Sequence, residues 1–142
     1  MPDKLKDLYR EVILKHNSEP LNFGKKEDAQ HIIEAYNPVC GDQFNLYFDL
    51  KENRIVNLSF HGYGCAISKA SASIMTQLIN GKSVEEALKI DQLFKSVLLK
   101  NDDQNTLPQE LKAFLPVKQH PGRIKCVTLC WDYLSNSLNS MK

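Results

Sequence analysis

Long apolar runs are missing from this 142-residue chain. Nowhere do the roughly eighteen consecutive apolar residues of a membrane-spanning helix occur. The opening Met1-Pro2-Asp3-Lys4-Leu5-Lys6-Asp7 carries charge where a secretory signal requires an apolar stretch. A cytoplasmic protein with no membrane partner is the expectation. Excess charge of one sign is missing too: eighteen Lys and Arg against seventeen Asp and Glu leave +1. Such a chain has no bulk field to draw it onto nucleic acid, so its partners must be selected by a local surface. Internal repeats and low-complexity tracts are absent, and no CxxC pair occurs among the four cysteines. The length suits one domain spanning residues 1–142, large enough for a single core without staples.

What is present reads as helix, then strands, then mostly helices. Leu5, Leu8 and Val12 share a helical stripe that ends before Pro20. Residues 21–28 are polar, and Ala29 to Tyr36 has no clean period, leaving strand and helix both open until Pro38 stops the run. Phe44, Leu46, Phe48 and Leu50 alternate with Gln43, Asn45, Tyr47 and Asp49, and Val56, Leu58 and Phe60 repeat the pattern, which predicts an antiparallel hairpin. After Gly62 and Gly64 the period lengthens through Ile67, Ala70, Ile74 and Leu78, predicting a helix from near Cys65 to Gly81. Ser83-Val84-Glu85-Glu86 has the form of a capping box opening a short helix. Lys100 to Gln109 reads as a surface loop. Pro121-Gly122 precedes a last helix with Val127, Trp131, Leu134 and Leu138 on its apolar stripe. The segregated order predicts an α+β fold, a small antiparallel sheet with helices packed on one face.

In a reducing compartment four cysteines point to metal binding or thiol chemistry rather than a disulfide framework. Cys40-Gly41-Asp42 precedes the first clear strand, so thiolate and carboxylate can face one ion. Cys65 and Cys126 both lie near predicted helix starts, where free amides favour a thiolate. Cys40, Cys65, Cys126 and Asp42 together would satisfy tetrahedral Zn²⁺. A carboxylate among three thiolates is a harder ligand, which suggests a site built to exchange one ligand. Arg123 and Lys125 flank Cys126 and either offset the surplus negative charge or are ordinary surface cations. Spacing alone leaves buried, inert cysteines as an equal alternative.

Three ordered motifs carry a resemblance. Asn37-Pro38-Val39-Cys40-Gly41-Asp42, then Gly62-Tyr63-Gly64-Cys65-Ala66-Ile67-Ser68-Lys69-Ala70-Ser71-Ala72-Ser73, then Arg123-Ile124-Lys125-Cys126 resemble the SufU/IscU/NifU N-terminal family of iron–sulfur cluster assembly. Leu8-Tyr9-Arg10 and Asn22-Phe23-Gly24 are similar as well. IscU scaffolds of that family usually have His before the third cysteine and a shorter stretch ahead of it. Here Lys125 precedes Cys126 and a helical insertion occupies about residues 82–115, which resembles the SufU branch. The resemblance implies zinc held by Cys40, Asp42, Cys65 and Cys126, with Cys40 accepting persulfide sulfur from a SufS-type cysteine desulfurase for downstream iron–sulfur assembly proteins. It also leaves room for an IscU-like scaffold holding iron or a [2Fe–2S] cluster on the same ligands, or for a zinc-stabilised interaction module.

Other candidates are weighed lower. Cys130, four residues after Cys126, reads chiefly as a buried packing residue, with a spare ligand as the lesser option. His61 near the glycine turn reads mainly as solvated, and His16, His31 and His120 as surface or loop residues. Gly81-Lys82-Ser83 resembles the end of a phosphate loop, but Thr76 stands where its first glycine belongs, so nucleotide chemistry is not expected.

Overall fold

The computed structural model describes residues 2–100 and 106–141, with side chains from Asp7 onward. Leu5 of the first stripe, and most of the loop expected between Lys100 and Gln109, therefore lie outside the described side chains. The elements in chain order are α1 (Pro2–Ser18), β1 (His31–Asn37), β2 (Asp42–Lys51), β3 (Arg54–Tyr63), α2 (Ala66–Ile79), α3 (Val84–Lys100), α4 (Gln109–Lys112), a 3₁₀ turn (Leu115–Gln119) and α5 (Pro121–Ser140). The α+β architecture is as expected. None of the described helices is long and apolar enough to cross a membrane.

The three strands form an antiparallel meander in the order β1-β2-β3. Glu52 and Asn53, both at positive φ, make the two-residue turn between Lys51 and Arg54, the backbone that a tight hairpin needs. Phe44, Leu46, Phe48, Leu58 and Phe60 are buried, each side chain contributing about 1.5–3 kcal/mol. Gln43 stays exposed and Asn45 half-exposed. The alternation breaks at a register shift between Tyr47 and Asp49, and Tyr47, expected outward, is buried. The ambiguous segment Ala29–Tyr36 resolves as strand from His31 onward, β1. The free edge of β3 is covered by Asn22–Gly24: the Gly24 N–H donates to Phe60 O and the Phe60 N–H to Asn22 O.

Helix α2 is the axle of the fold, lying against α1, α5 and β3. Its Ile67, Ala70, Ile74 and Ile79 are buried, but so are Ser68, Ser71, Ser73 and Thr76, because neighbours close on it from several sides. Small hydroxyl side chains permit that approach and bond across it. Ser71 Oγ donates to Val127 O and accepts Trp131 Nε1–H at 3.1 Å, which ties α2 to α5. Ser73 Oγ accepts the Leu21 N–H and meets His16 Nδ1 at 2.7 Å. His16, expected at the surface, is therefore buried between α1 and α2, since it offers the ring nitrogen that Ser73 needs.

The capping box forms, with the Glu86 N–H on Ser83 Oγ and the Ser83 N–H on Glu86 Oε1. The helix it opens is longer than its short apolar signal suggests, running through Lys100. Phe94 extends its buried face and packs edge-on against Trp131 of α5, with ring centroids 5.2 Å apart.

Candidate metal centre

The β1–β2 turn, the start of α2 and the second turn of α5 meet at one site. Cys40 stands exposed in the β1–β2 turn, followed by Gly41 at φ +76°, a left-handed conformation that glycine adopts without steric cost. Asp42 is the first residue of β2 and is fully buried. Cys65 is the N-cap of α2, its sulfur accepting the Ser68 N–H at 3.4 Å. Cys126 lies in the second turn of α5 and is buried, held in place by the Ser71 bond to the adjacent Val127.

These residues converge. Cys40 Sγ and Cys126 Sγ are 3.5 Å apart, and one donor atom each from Cys40, Asp42 and Cys126 falls within 4.8 Å of the others. Cys65 falls outside that group of three, though its sulfur reaches 4.0 Å from Asp42 Oδ2 and its charge is felt by Cys126. The structure thus draws together three of the expected four ligands and sets the fourth at their border.

The electrostatics call for a cation. Asp42 is a fully buried carboxylate with no ion pair to any basic side chain among the described residues. The backbone N–H of Cys65 donates to its Oδ1 at 2.8 Å, leaving Oδ2 toward the thiols. A carboxylate in that position is costly unless a positive charge joins it. Burial pushes the Cys126 thiol far up from its ordinary value, and the neighbouring Cys40 and Cys65 push it further. The sequence expectation that a helix start favours a Cys126 thiolate is therefore corrected: the residue lies beyond the first turn, where the helix dipole fades, and burial prevails. A bound dication would reverse that balance, and a set of sulfurs with one carboxylate suits zinc or another thiophilic metal. Arg123 and Lys125 are exposed and form no ion pair among the described residues.

Some contributors escape a reading for ligands. Gly64 permits the Asp42 contact, since a Cβ there would stand 2.7 Å from Asp42 Oδ1 and 2.8 Å from the Phe44 ring. Gly62, at φ +148°, lies so close to β2 that a Cβ would collide with the Gln43 carbonyl. The Gly-Tyr-Gly run signals a change of period in sequence, and its closeness to Asp42 emerges only in three dimensions. Cys130 is buried behind Cys126, as expected, its thiol pushed up by burial and then by the Asp42 charge. His61 does not join the cluster; its ring stacks on Phe23 at 4.9 Å, and Lys69 Nζ lies 4.8 Å from the same Phe23 ring.

Comparison with known proteins gives the family. The profile of the family described as NifU-like N terminal domain matches residues 8–131. The chain is 38% identical over 135 residues to the zinc-dependent sulfurtransferase SufU of Bacillus subtilis, covering 94% of this chain and 91% of that protein. It is 36% identical over 138 residues to the iron–sulfur cluster assembly scaffold protein IscU of Streptococcus pyogenes serotype M1, covering 95% and 85%. Among solved structures, a protein assigned as an iron–sulfur cluster assembly scaffold for the SUF system of Fervidobacterium islandicum AW-1 superposes with a TM-score of 0.85. The two are 36% identical, and the match covers 93% of this chain and 97% of that one.

Proposed function

The chain belongs to the family of NifU-like N-terminal domains, the SufU and IscU group of iron–sulfur cluster assembly, and from that premise we propose that it is a zinc-dependent sulfurtransferase. It would accept persulfide sulfur from a SufS-type cysteine desulfurase in the cytoplasm and pass it to downstream iron–sulfur assembly proteins. One observation carries the reading: a buried carboxylate without a counter-charge among the described residues, surrounded by thiols, with an exposed cysteine on a glycine turn in the same cluster. Cys40, Asp42, Cys65 and Cys126 are the residues that would hold zinc. When bound, zinc would supply the positive charge that keeps these thiols deprotonated and ties β2, α2 and α5 together.

The four residues are not equivalent. Asp42 and Cys126 are enclosed and fixed by their neighbours, which suits a permanent hold. Cys40 and Cys65 are both exposed, but Cys65 is tied down as the N-cap of α2, whereas Cys40 stands on a glycine turn, which suits the ligand that meets a partner. As a thiolate it attacks the terminal sulfur of the desulfurase persulfide. The sulfur–sulfur bond of the partner breaks, its cysteine leaves as thiolate, and Cys40 carries the persulfide with its proton. Lys125 in place of histidine before Cys126, and the helices Val84–Lys100 and Gln109–Lys112, which we take as part of the insertion of the SufU branch at about 82–115, support sulfur transfer over cluster scaffolding.

Desulfurase turnover measured with the zinc-loaded protein and with its Cys40→Ala variant tests this reading, beside anaerobic iron–sulfur reconstitution. Stimulation by the parent and none by the variant is expected. A parent that leaves turnover unchanged, yet assembles a visible cluster and transfers it to an acceptor, replaces the reading with a [2Fe–2S] scaffold on the same ligands.

A further inference from the structure

Apart from the cysteine cluster, α1, the 3₁₀ turn and the first turn of α5 line a solvent-open cavity of about 370 Å³. That volume is in the range of small-molecule sites. Tyr9, Ile13, Leu14 and Pro116 supply its apolar wall, and Leu14 is 61% exposed, a large aliphatic side chain without an internal partner. Arg10, Arg123, Gln119 and His120 supply the polar groups. Among the described residues no carboxylate lines the cavity and neither arginine forms an ion pair. No acidic residue lies in the first turn of α5 either.

Two unpaired guanidiniums above an apolar wall recognise a particular chemistry. The guanidinium fork matches an oxyanion such as a carboxylate, and the wall rewards a hydrocarbon body. We propose that the Arg10–Arg123 cavity is a binding site for a small anionic amphiphile, a carboxylate head on a short hydrocarbon tail. The site is separate from the cysteine cluster, so ligand binding is read without reference to metal or sulfur chemistry. Arg123 nevertheless lies one helical turn before Cys126, and an occupant would touch the segment that carries this thiol.

The probe is sodium decanoate, titrated into the intact protein and followed by amide ¹H–¹⁵N spectra, with 1-decanol as the uncharged control. Saturable shifts are expected at Arg10, Leu14, Gln119 and Arg123, with decanol weaker by roughly tenfold or more. Arg10→Gln combined with Arg123→Gln should weaken decanoate by roughly tenfold or more while leaving decanol unchanged. Leu14→Gln should weaken both. All three side chains are exposed, so the variants should keep the parent spectrum elsewhere. Shifts that do not saturate, shifts that map elsewhere, equal binding of decanol, or decanoate binding indifferent to the arginine changes would each overturn the site.

Discussion

The backbone N–H of Cys65 donates to Oδ1 of Asp42 at 2.8 Å, and Gly64 is the residue that makes room for this bond. One carboxylate oxygen is thereby held by the protein and the other is turned to the thiols. A methyl group at position 64 would press on Asp42 and Phe44, both fully buried and neither able to yield freely. Gly64→Ala should cost about 1–3 kcal/mol of stability through this overpacking. It should also weaken zinc binding by roughly tenfold, about 1.4 kcal/mol. Thermal unfolding and chelator competition measure the two effects separately. A folded variant with parental zinc affinity would show that the carboxylate needs no such positioning.

His16 makes stability depend on pH. Burial first, then the Lys15 charge, hold its pKa below the ordinary 6.5, with Glu110 opposing. Because Ser73 Oγ already accepts the Leu21 N–H, its hydroxyl proton is free for Nδ1 of a neutral ring. The unfolded chain takes up the imidazole proton before the folded one does. The contribution is therefore complete above pH 6.5 and lost as the pH falls below it. Metal-free protein should melt at a lower temperature near pH ~5.5 than near ~7.5, and His16→Gln should shrink that difference. An unchanged pH dependence in the variant would place its origin elsewhere.

Lys95 joins α3 to α5 by bonding Asp91 at 2.9 Å and Asp132 at 2.7 Å. Burial alone would lower its pKa, but hydrogen bonds and charge from the two carboxylates hold it above the usual lysine range, while burial raises Asp91. Lys95→Met leaves Asp91 buried without its cation and should cost about 1–3 kcal/mol in urea unfolding. The full penalty of a dry ion pair is not expected, because Asp132 remains about half exposed. Asp91→Asn in the Lys95→Met background should recover part of the loss.

Cys130 should prove dispensable for chemistry. It is 2% exposed and packed in the core, and its thiol is pushed up by burial. Cys130→Ala should cost about 1 kcal/mol as a small core truncation and leave zinc content and sulfur uptake at parental levels. Loss of either in a stably folded variant would make Cys130 part of the centre.

Local patterns were legible where one periodicity dominated. Phe44, Leu46 and Phe48 alternate because β2 has one face on the core, and Trp131, Leu134 and Leu138 repeat because α5 has one buried stripe. Ala29–Tyr36 was illegible as a strand because β1 carries apolar residues on both faces, Ile32 half-exposed beside the partly buried Ile33. The length of α3 was hidden by Asp91, a charged residue on its buried face that only Lys95 and the neighbouring helix justify. His16 misled for a similar reason: a polar ring is unremarkable on a helix until Ser73, 57 residues away, accepts it into the interior.

The sequence by itself determined which segments carry the thiols and the carboxylate, and that each lies at or near the start of a regular element, because helix periods, strand alternation and glycine turns are local properties. Only the tertiary structure decided what those residues are to one another. A sulfur–sulfur approach of 3.5 Å between cysteines 86 positions apart depends on how α5 seats against α2 and the sheet. The same packing encloses Asp42 and Cys126 and leaves Cys40 and Cys65 exposed, with Cys65 at the border of the cluster. Exposure and distance are set by the assembled core, and no periodicity along the chain records them.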